Sequence, residues 1–480
     1  MDELVSQSAT ALANLILKQT ISPVEVVEAY LKRIELLNPK LNAIVTLAPD
    51  VMEQSKAAEA AVMRGDVLGP LHGLPVTIKD TIETAGLRTT SGSPMRADFV
   101  PEHDAPAVAR LKAAGAIILG KTNTAEMAMD YTADNPVFGR TNNPYDASLT
   151  PGGSSGGEAA AIAAGMSPAG LGTDLAGSIR IPAHFCGIAG LKPGVGRVAG
   201  GGQFPSAGGP YSLGSAIGPM ARSVSDLQLL FSVLAGSKSS TLPTEEHPAS
   251  LTENGRSALR ASMSSRRVAW YTDDEVSPVT EETRRAVETA ARALADAGLT
   301  VEQMRPPGIE RGYDLWLKLF SRASVVQLRD VYAGHEEKAG AFVRWRLATA
   351  DDSPVATLDD YIRSWMERDR LRAELVKWME ATPLLIAPVG ATPAFPHDAH
   401  KVTVGEQSLS AFRAFSYSQT FNVFDLPAAV VPSGRSVEGL PIGVQIIGRP
   451  FDEETVLVAA GIIEEALGGW QPPPLYTAVP

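Results

Sequence analysis

Three segments far apart in the sequence each set a reactive side chain among residues that restrict its backbone. In His72-Gly-Leu-Pro-Val-Thr-Ile-Lys79-Asp80 a lysine ends an apolar run. Burial at such a strand end would lower its pKa from about 10.4 and leave part of the amine neutral, able to accept a proton. Taken alone, a surface lysine paired with Asp80 is the commoner reading. Pro151-Gly-Gly-Ser154-Ser155-Gly-Gly157-Glu158 places four glycines around two serines and runs into an alanine-rich helix over 158–164. By itself that also fits a turn capped by serine at a helix start. In Leu171-Gly-Thr-Asp174-Leu175-Ala176-Gly177-Ser178-Ile-Arg180-Ile-Pro-Ala183 small residues lead into a serine between apolar neighbours. Backbone N–H groups gathered beside such a serine are what an oxyanion requires, although an ordinary glycine turn has the same composition. The combination, rather than any one segment, carries the signal.

Three other matches point elsewhere and fail on physical grounds. Gly115-Ala-Ile-Ile-Leu-Gly120-Lys121-Thr122 fits the phosphate-loop pattern letter for letter, but its variable positions are themselves an apolar strand and cannot curl around phosphate. Gly152-Gly-Ser154-Ser155-Gly156 fits a nucleophile elbow, with His397 or His400 available as a late histidine. An elbow needs a strand before it, and residues 142–151 are turn formers with two prolines. Cys186, the sole cysteine, lies among small and apolar residues and reads as packing, with no base beside it.

The elements that must position the three segments follow from periodicity. Ser22, Pro23 and Glu25 announce the second of two helices in the first forty residues by a capping box, and Val26, Tyr30, Ile34 and Leu37 form its apolar stripe. Strands are expected at Ala43–Leu47, Leu74–Ile78, Ala116–Leu119 and Ile442–Ile447, and helices at Val51–Arg64, Ala105–Ala114 and Glu453–Leu467. This alternation predicts an α/β fold: a central mixed, mostly parallel twisted sheet with helices on both faces. Residues 236–267 are rich in Ser, Thr and Glu and read as a surface connection. Residues from about 307 to 381 turn helical and carry Trp316, Trp345, Trp365 and Trp378, as core or as pocket wall.

With 44% hydrophobic and 20% charged residues the chain reads as an ordinary soluble globular protein. Its net charge of -12 would repel phosphate backbones and anionic lipid, so a small-molecule partner is expected, with no nucleic acid and no membrane. A homodimer is allowed for. One cysteine and seven scattered histidines, without a ligand-spaced pair, lead us to expect no metal and no cofactor. The N-terminus lacks a basic stretch followed by an apolar run, which predicts a cytoplasmic protein.

Together these residues resemble the amidase signature family, serine hydrolases with a Ser, cis-Ser, Lys triad. The resemblance runs over nearly the whole chain as one domain. It includes Ser22-Pro-Val-Glu-Val26, Gly120-Lys-Thr-Asn123, Gly187 to Pro193, Gly218-Pro-Met220 and Leu440 to Pro450. It implies that Ser178 is the nucleophile, Ser154 the serine after a cis peptide bond, and Lys79 the base. The N–H groups of Leu175, Ala176, Gly177 and Ser178 would hold the oxyanion, and Ser155, Asp174 and Arg180 would support the loops. The surroundings of Phe185 resemble members acting on bulky apolar or aryl amides, with Tyr131, Phe138, Trp316 and Phe320 as pocket residues.

Two departures stand out. Ala176 replaces a glycine usual in the oxyanion turn, which matters if that position needs a positive φ. Gly194 and Val195 replace the usual Thr and aromatic residue after Lys192-Pro193. The resemblance also admits a rival, the glutamine-dependent amidotransferase component that works with partner chains on charged tRNA, and, less well, a catalytically silent binding module.

Overall fold

Ser22 opens the helix Pro23–Leu41 as its sequence predicts: its hydroxyl accepts from the N–H groups of Val24 and Glu25, and Glu25 reaches back to the Ser22 N–H at 2.8 Å. The structure is a computed structural model that describes residues 2–66, 68–235, 259–350 and 357–477. Two further helices, Asp2–Ser6 and Ala9–Leu17, precede Pro23, where the sequence suggested one. Most of the expected surface connection at 236–267 lies outside the described residues.

Among the described residues thirteen strands follow in chain order: β1 (Ile44–Leu47), β2 (Pro75–Lys79), β3 (Ile117–Thr122), β4 (Ala169–Asp174), β5 (Ala189–Lys192), β6 (Ala216–Ala221), β7 (Arg267–Trp270), β8 (Thr300–Gln303), β9 (Leu384–Pro388), β10 (Lys401–Val404), β11 (Gln407–Ser410), β12 (Ala428–Arg435) and β13 (Pro441–Gly448). Strands β10 and β11 form a separate hairpin. The other eleven make one sheet in the order β1-β3-β2-β4-β6-β5-β12-β13-β9-β7-β8.

The sheet is mixed, as expected, but not mostly parallel. Parallel pairing is confined to β3-β2-β4 and β9-β7-β8, and the six remaining pairs are antiparallel. The reason is local. The five residues between β12 and β13 permit only an antiparallel hairpin, whereas parallel neighbours need a long crossover.

Helices cover both faces, and the strands show why. In β9, Leu384 and Ile386 enter one apolar core while Leu385 and Ala387 enter the other, and in β12 Ala429 and Val431 alternate in the same way with Ala428 and Val430. The period-2 alternation of a strand buried on both sides reads as a continuous apolar run. In β2 this alternation sends Val76 and Ile78 into the first core, leaving Thr77 and Lys79 on the opposite face. That face carries the chemistry.

Candidate active site

Lys79 is the last residue of β2 and is wholly buried. Its Nζ lies 2.6 Å from Ser154 Oγ and 2.8 Å from Thr173 Oγ1 on β4. Burial pulls its pKa down to about 7, against the charge of Asp174 and, whenever that carboxyl is ionised, of Glu158, which favour the ammonium form. A strand-end lysine paired with Asp80 at the surface is thereby excluded. Asp80 turns instead to the N–H and hydroxyl of Thr90.

The glycine-rich loop brings Ser154 to the lysine. The Gly153–Ser154 peptide bond is cis, as the resemblance implied. Gly153 passes so close to the backbone of Thr132 that a Cβ would lie 2.0 Å from its carbonyl oxygen, so no other residue fits there. The chain then enters the helix Gly156–Ala163. Ser155 ties this loop to the third segment: its N–H donates to the Ser178 carbonyl at 3.2 Å, and its hydroxyl bridges the backbone of Thr173.

The turn presenting Ser178 is held by Asp174, at the end of β4. Its carboxylate accepts from the N–H groups of Gly177 at 2.9 Å and Ile179 at 3.1 Å, from both Nε and Nη2 of Arg180 at 3.0 Å, and from Asn422. Burial alone would raise the Asp174 pKa, but the Arg180 guanidinium outweighs it and holds the carboxyl well below the usual range. Arg180 in turn meets Gln445 and Asn422. Asp174 and Arg180 thus form a buried, bidentate pair, the arrangement in which such charges hold geometry best.

This capping corrects one expectation. The Gly177 N–H is engaged by the Asp174 carboxylate and is not free for an oxyanion, because an aspartate ending a strand caps the turn that follows it. The N–H groups of Leu175, Ala176 and Ser178, the other three expected donors, are not among those the carboxylate engages. The positive φ of the turn, 106°, falls on Gly177, and Ala176 is not among the residues with positive φ, so alanine sits there without backbone strain. Val195 and Gly194 also fit, their N–H groups taken by Asp425 and Glu453.

Ser154 and Ser178 open into one cavity with Thr81, Met127, Leu175 and Ala176. Among the described residues no hydrogen bond joins the two serine hydroxyls. Tyr131, Trp316 and Phe320 line this cavity as expected, and Phe412, missed in the sequence, completes the aromatic wall by stacking on Trp316 at 5.8 Å. Phe138 does not. Asn135 accepts from the N–H groups of Val137 and Phe138, and the turn this makes carries the Phe138 ring away to lie under Arg88. Trp345 is 53% exposed and Trp365 packs behind Phe320, so neither lines the cavity. The polar end is formed by Ser206, Ser321, Ser324 and Arg346, with Asp130 on the wall.

The competing motifs fall away. Lys121 is a buried strand residue donating to Ile82 and Thr84, residues 142–148 contain no strand, and neither His397 nor His400 lines the cavity. Burial pushes the Cys186 thiol up, away from reactivity. Among the described residues no helix is long and apolar enough to cross a membrane.

Comparison with known proteins agrees with this geometry. A family model described as Amidase matches residues 25–457. The glutamyl-tRNA(Gln) amidotransferase A-type chain of Roseiflexus sp. (strain RS-1) is 36% identical over 463 residues, covering 92% of each chain. A bacterial aryl acylamidase belonging to the amidase signature enzymes superposes with a TM-score of 0.84 at 27% identity, covering 99% of both chains. A structure from a vestigial protein complex bearing on the origins of an s-triazine catabolic enzyme reaches a TM-score of 0.87 at 26% identity, covering 97% of this chain and all of that one.

Proposed function

Because the chain belongs to the amidase signature family, we propose that it cleaves a carboxylic amide through an acyl-enzyme on Ser178. The observation that carries this reading is the buried Lys79 amine, 2.6 Å from the Oγ of Ser154, which lines one cavity with Ser178. Neutral Lys79 takes the Ser154 proton as Ser154 takes that of Ser178, whose oxygen forms a bond to the carbonyl carbon. The carbonyl electrons move to an oxyanion held by the N–H groups of Leu175, Ala176 and Ser178. The relay then returns a proton to the leaving nitrogen as the C–N bond breaks, and water releases the acid by the same steps.

The aromatic wall of Tyr131, Trp316, Phe320 and Phe412 favours a bulky apolar or aryl amide. The likeness to an aryl acylamidase supports the same substrate class. A small-molecule hydrolase of this kind needs no partner chain.

A second reading is favoured by two observations. Curated relatives bear the name of one component of an amidotransferase, which would give the chain partner proteins and a tRNA-linked reaction, contrary to the small-molecule expectation. Arg346 and Asp130 both line the cavity, where a glutamine would offer them its carboxylate and its ammonium. Assay of the purified chain on an anilide, on acetamide and on glutamine separates the two. Anilide turnover without glutaminase activity supports the hydrolase, and hydrolysis of glutamine alone supports the amidotransferase component. Loss of all turnover in Ser178→Ala is required by both.

A further inference from the structure

Behind Lys79 lies a carboxyl that the relay does not use. Glu158 stands in the first turn of the helix Gly156–Ala163, four residues after Ser154, and is wholly buried. It reaches the face of the sheet that carries the lysine. Thr77 shares that face of β2, and Thr122 pairs with Lys79 in the parallel register of β2 and β3. Glu158 Oε2 accepts from the Thr122 hydroxyl at 2.7 Å, and Oε1 is hydrogen-bonded to the Thr77 hydroxyl. Among the described residues no lysine or arginine approaches Glu158 at ion-pair distance.

Counting protons shows which state this arrangement suits. The Ser167 hydroxyl donates to the Ala169 carbonyl at 2.9 Å, so it accepts from Thr77, also at 2.9 Å. Thr77 has one hydroxyl proton, and Ser167 has taken it. The contact between Thr77 and Glu158 then draws its proton from the carboxyl.

Burial acts in the same direction, raising the Glu158 pKa to about 7. The charged groups facing the pair are few. Lys79 comes from β2, and Lys121 from β3, its Nζ on Ile82 and Thr84 in the field of Asp80. Asp174 comes from β4 and is neutralised by Arg180, on the helix Arg180–Cys186. That helix also carries His184, which faces Thr392 and whose pKa burial lowers to about 4.

We propose that Glu158 is a positioning residue that holds a proton at rest and, by staying uncharged, keeps Lys79 in the amine form on which the serine relay depends. Ionised Glu158 draws Lys79 back to ammonium, so the two groups titrate as a pair. The inference rests on the triad reading above.

The test is the pH dependence, between pH 5 and 9, of the second-order rate at which a fluorophosphonate phosphonylates the active serine. Ser178 oxygen bonds to phosphorus, fluoride leaves, and the hydroxyl proton passes to the relay. Glu158→Gln reproduces the protonated donor pattern, its amide oxygen accepting from Thr122 and its N–H donating to Thr77. Its acid limb should superimpose on that of the parent, because the variant fixes the uncharged state the carboxyl already holds. Thr77→Val removes the acceptor of the carboxyl proton, so Glu158 ionises and the limb should move to higher pH, which keeps the test alive should the glutamine variant not fold. A Glu158→Gln limb moved to lower pH by roughly half a unit or more, the sign of a charged carboxylate in the parent, or an unmoved limb in folded Thr77→Val, overturns the inference. Lys79→Ala and Ser178→Ala serve as controls: labelling at the parent rate in either sinks the triad reading itself, whereas their inertness together with either of those outcomes sinks only the role of Glu158.

Discussion

The phenol of Tyr131 donates to the carbonyl of Ala176 at 2.8 Å, tying the aromatic wall of the cavity to the turn that presents Ser178. Trp316 does the same for the preceding carbonyl, its Nε1–H donating to Leu175 at 3.2 Å. A peptide unit is planar, so each of these bonds also fixes the direction of the next N–H in the turn. Tyr131→Phe leaves the Ala176 carbonyl without that donor and should cost about 1–3 kcal/mol of stability. With the turn less firmly held, kcat/KM should fall about tenfold, which corresponds to about 1.4 kcal/mol of transition-state stabilisation. Chemical unfolding and steady-state kinetics check both.

The Lys79 amine sets the sign of the pH response. Its pKa is lowered to about 7 by burial, and only the deprotonated form can accept from Ser154. Below pH 7 the amine is charged and the relay is blocked, so kcat/KM should rise with pH and level off above it. Lys79→Met should lower kcat by about 10²- to 10⁴-fold, the range for a general base, and remove that acid limb from whatever activity remains. A pH–rate profile measures both outcomes.

Neighbouring small residues of the turn should behave in opposite ways. At Gly177, with φ 106°, a Cβ would lie 2.7 Å from Ser418 Cβ and 2.8 Å from Ile181 Cδ1, so Gly177→Ala should destabilise by about 1–3 kcal/mol and sharply reduce kcat. Ala176→Gly relieves no strain and should change stability by no more than about 1 kcal/mol. Thermal unfolding of the two variants side by side checks the contrast, and equal effects would show that the strain is wrongly placed.

Much of this arrangement was legible in the sequence wherever a local signal carried it. The capping box at Ser22 and Glu25 marked a helix start, the Val51–Arg64 helix was found to the residue, and the apolar run before Lys79 identified a buried strand. What stayed hidden depends on contacts between distant segments. Thr173 meets Lys79 only because β4 lies beside β2, and Phe412 joins the pocket from a helix more than two hundred residues after Ser178. The engagement of the Gly177 N–H required knowing where the Asp174 carboxylate turns. Phe138 was misplaced because its sequence shows an aromatic residue but not the Asn135 turn that redirects it.

The aromatic wall predicts selectivity. Phe412 stacks on Trp316 at 5.8 Å and on Phe342 at 6.1 Å, and its side chain makes no polar contact that alanine would lose. Phe412→Ala should lower kcat/KM for an anilide by roughly tenfold or more, chiefly through KM, because apolar contact surface is worth about 1–3 kcal/mol in discrimination. Acetamide, too small to reach the wall, should be affected much less, and parallel assays on both substrates decide the matter.

Peptide mass mapping after reaction with a fluorophosphonate at pH 8, alongside the Lys79→Ala variant, tests the triad at its nucleophile. A single adduct on Ser178 is expected in the parent protein, with labelling slowed by orders of magnitude in the variant. An adduct on Ser154 or Ser155, or undiminished labelling without the lysine, would contradict the triad.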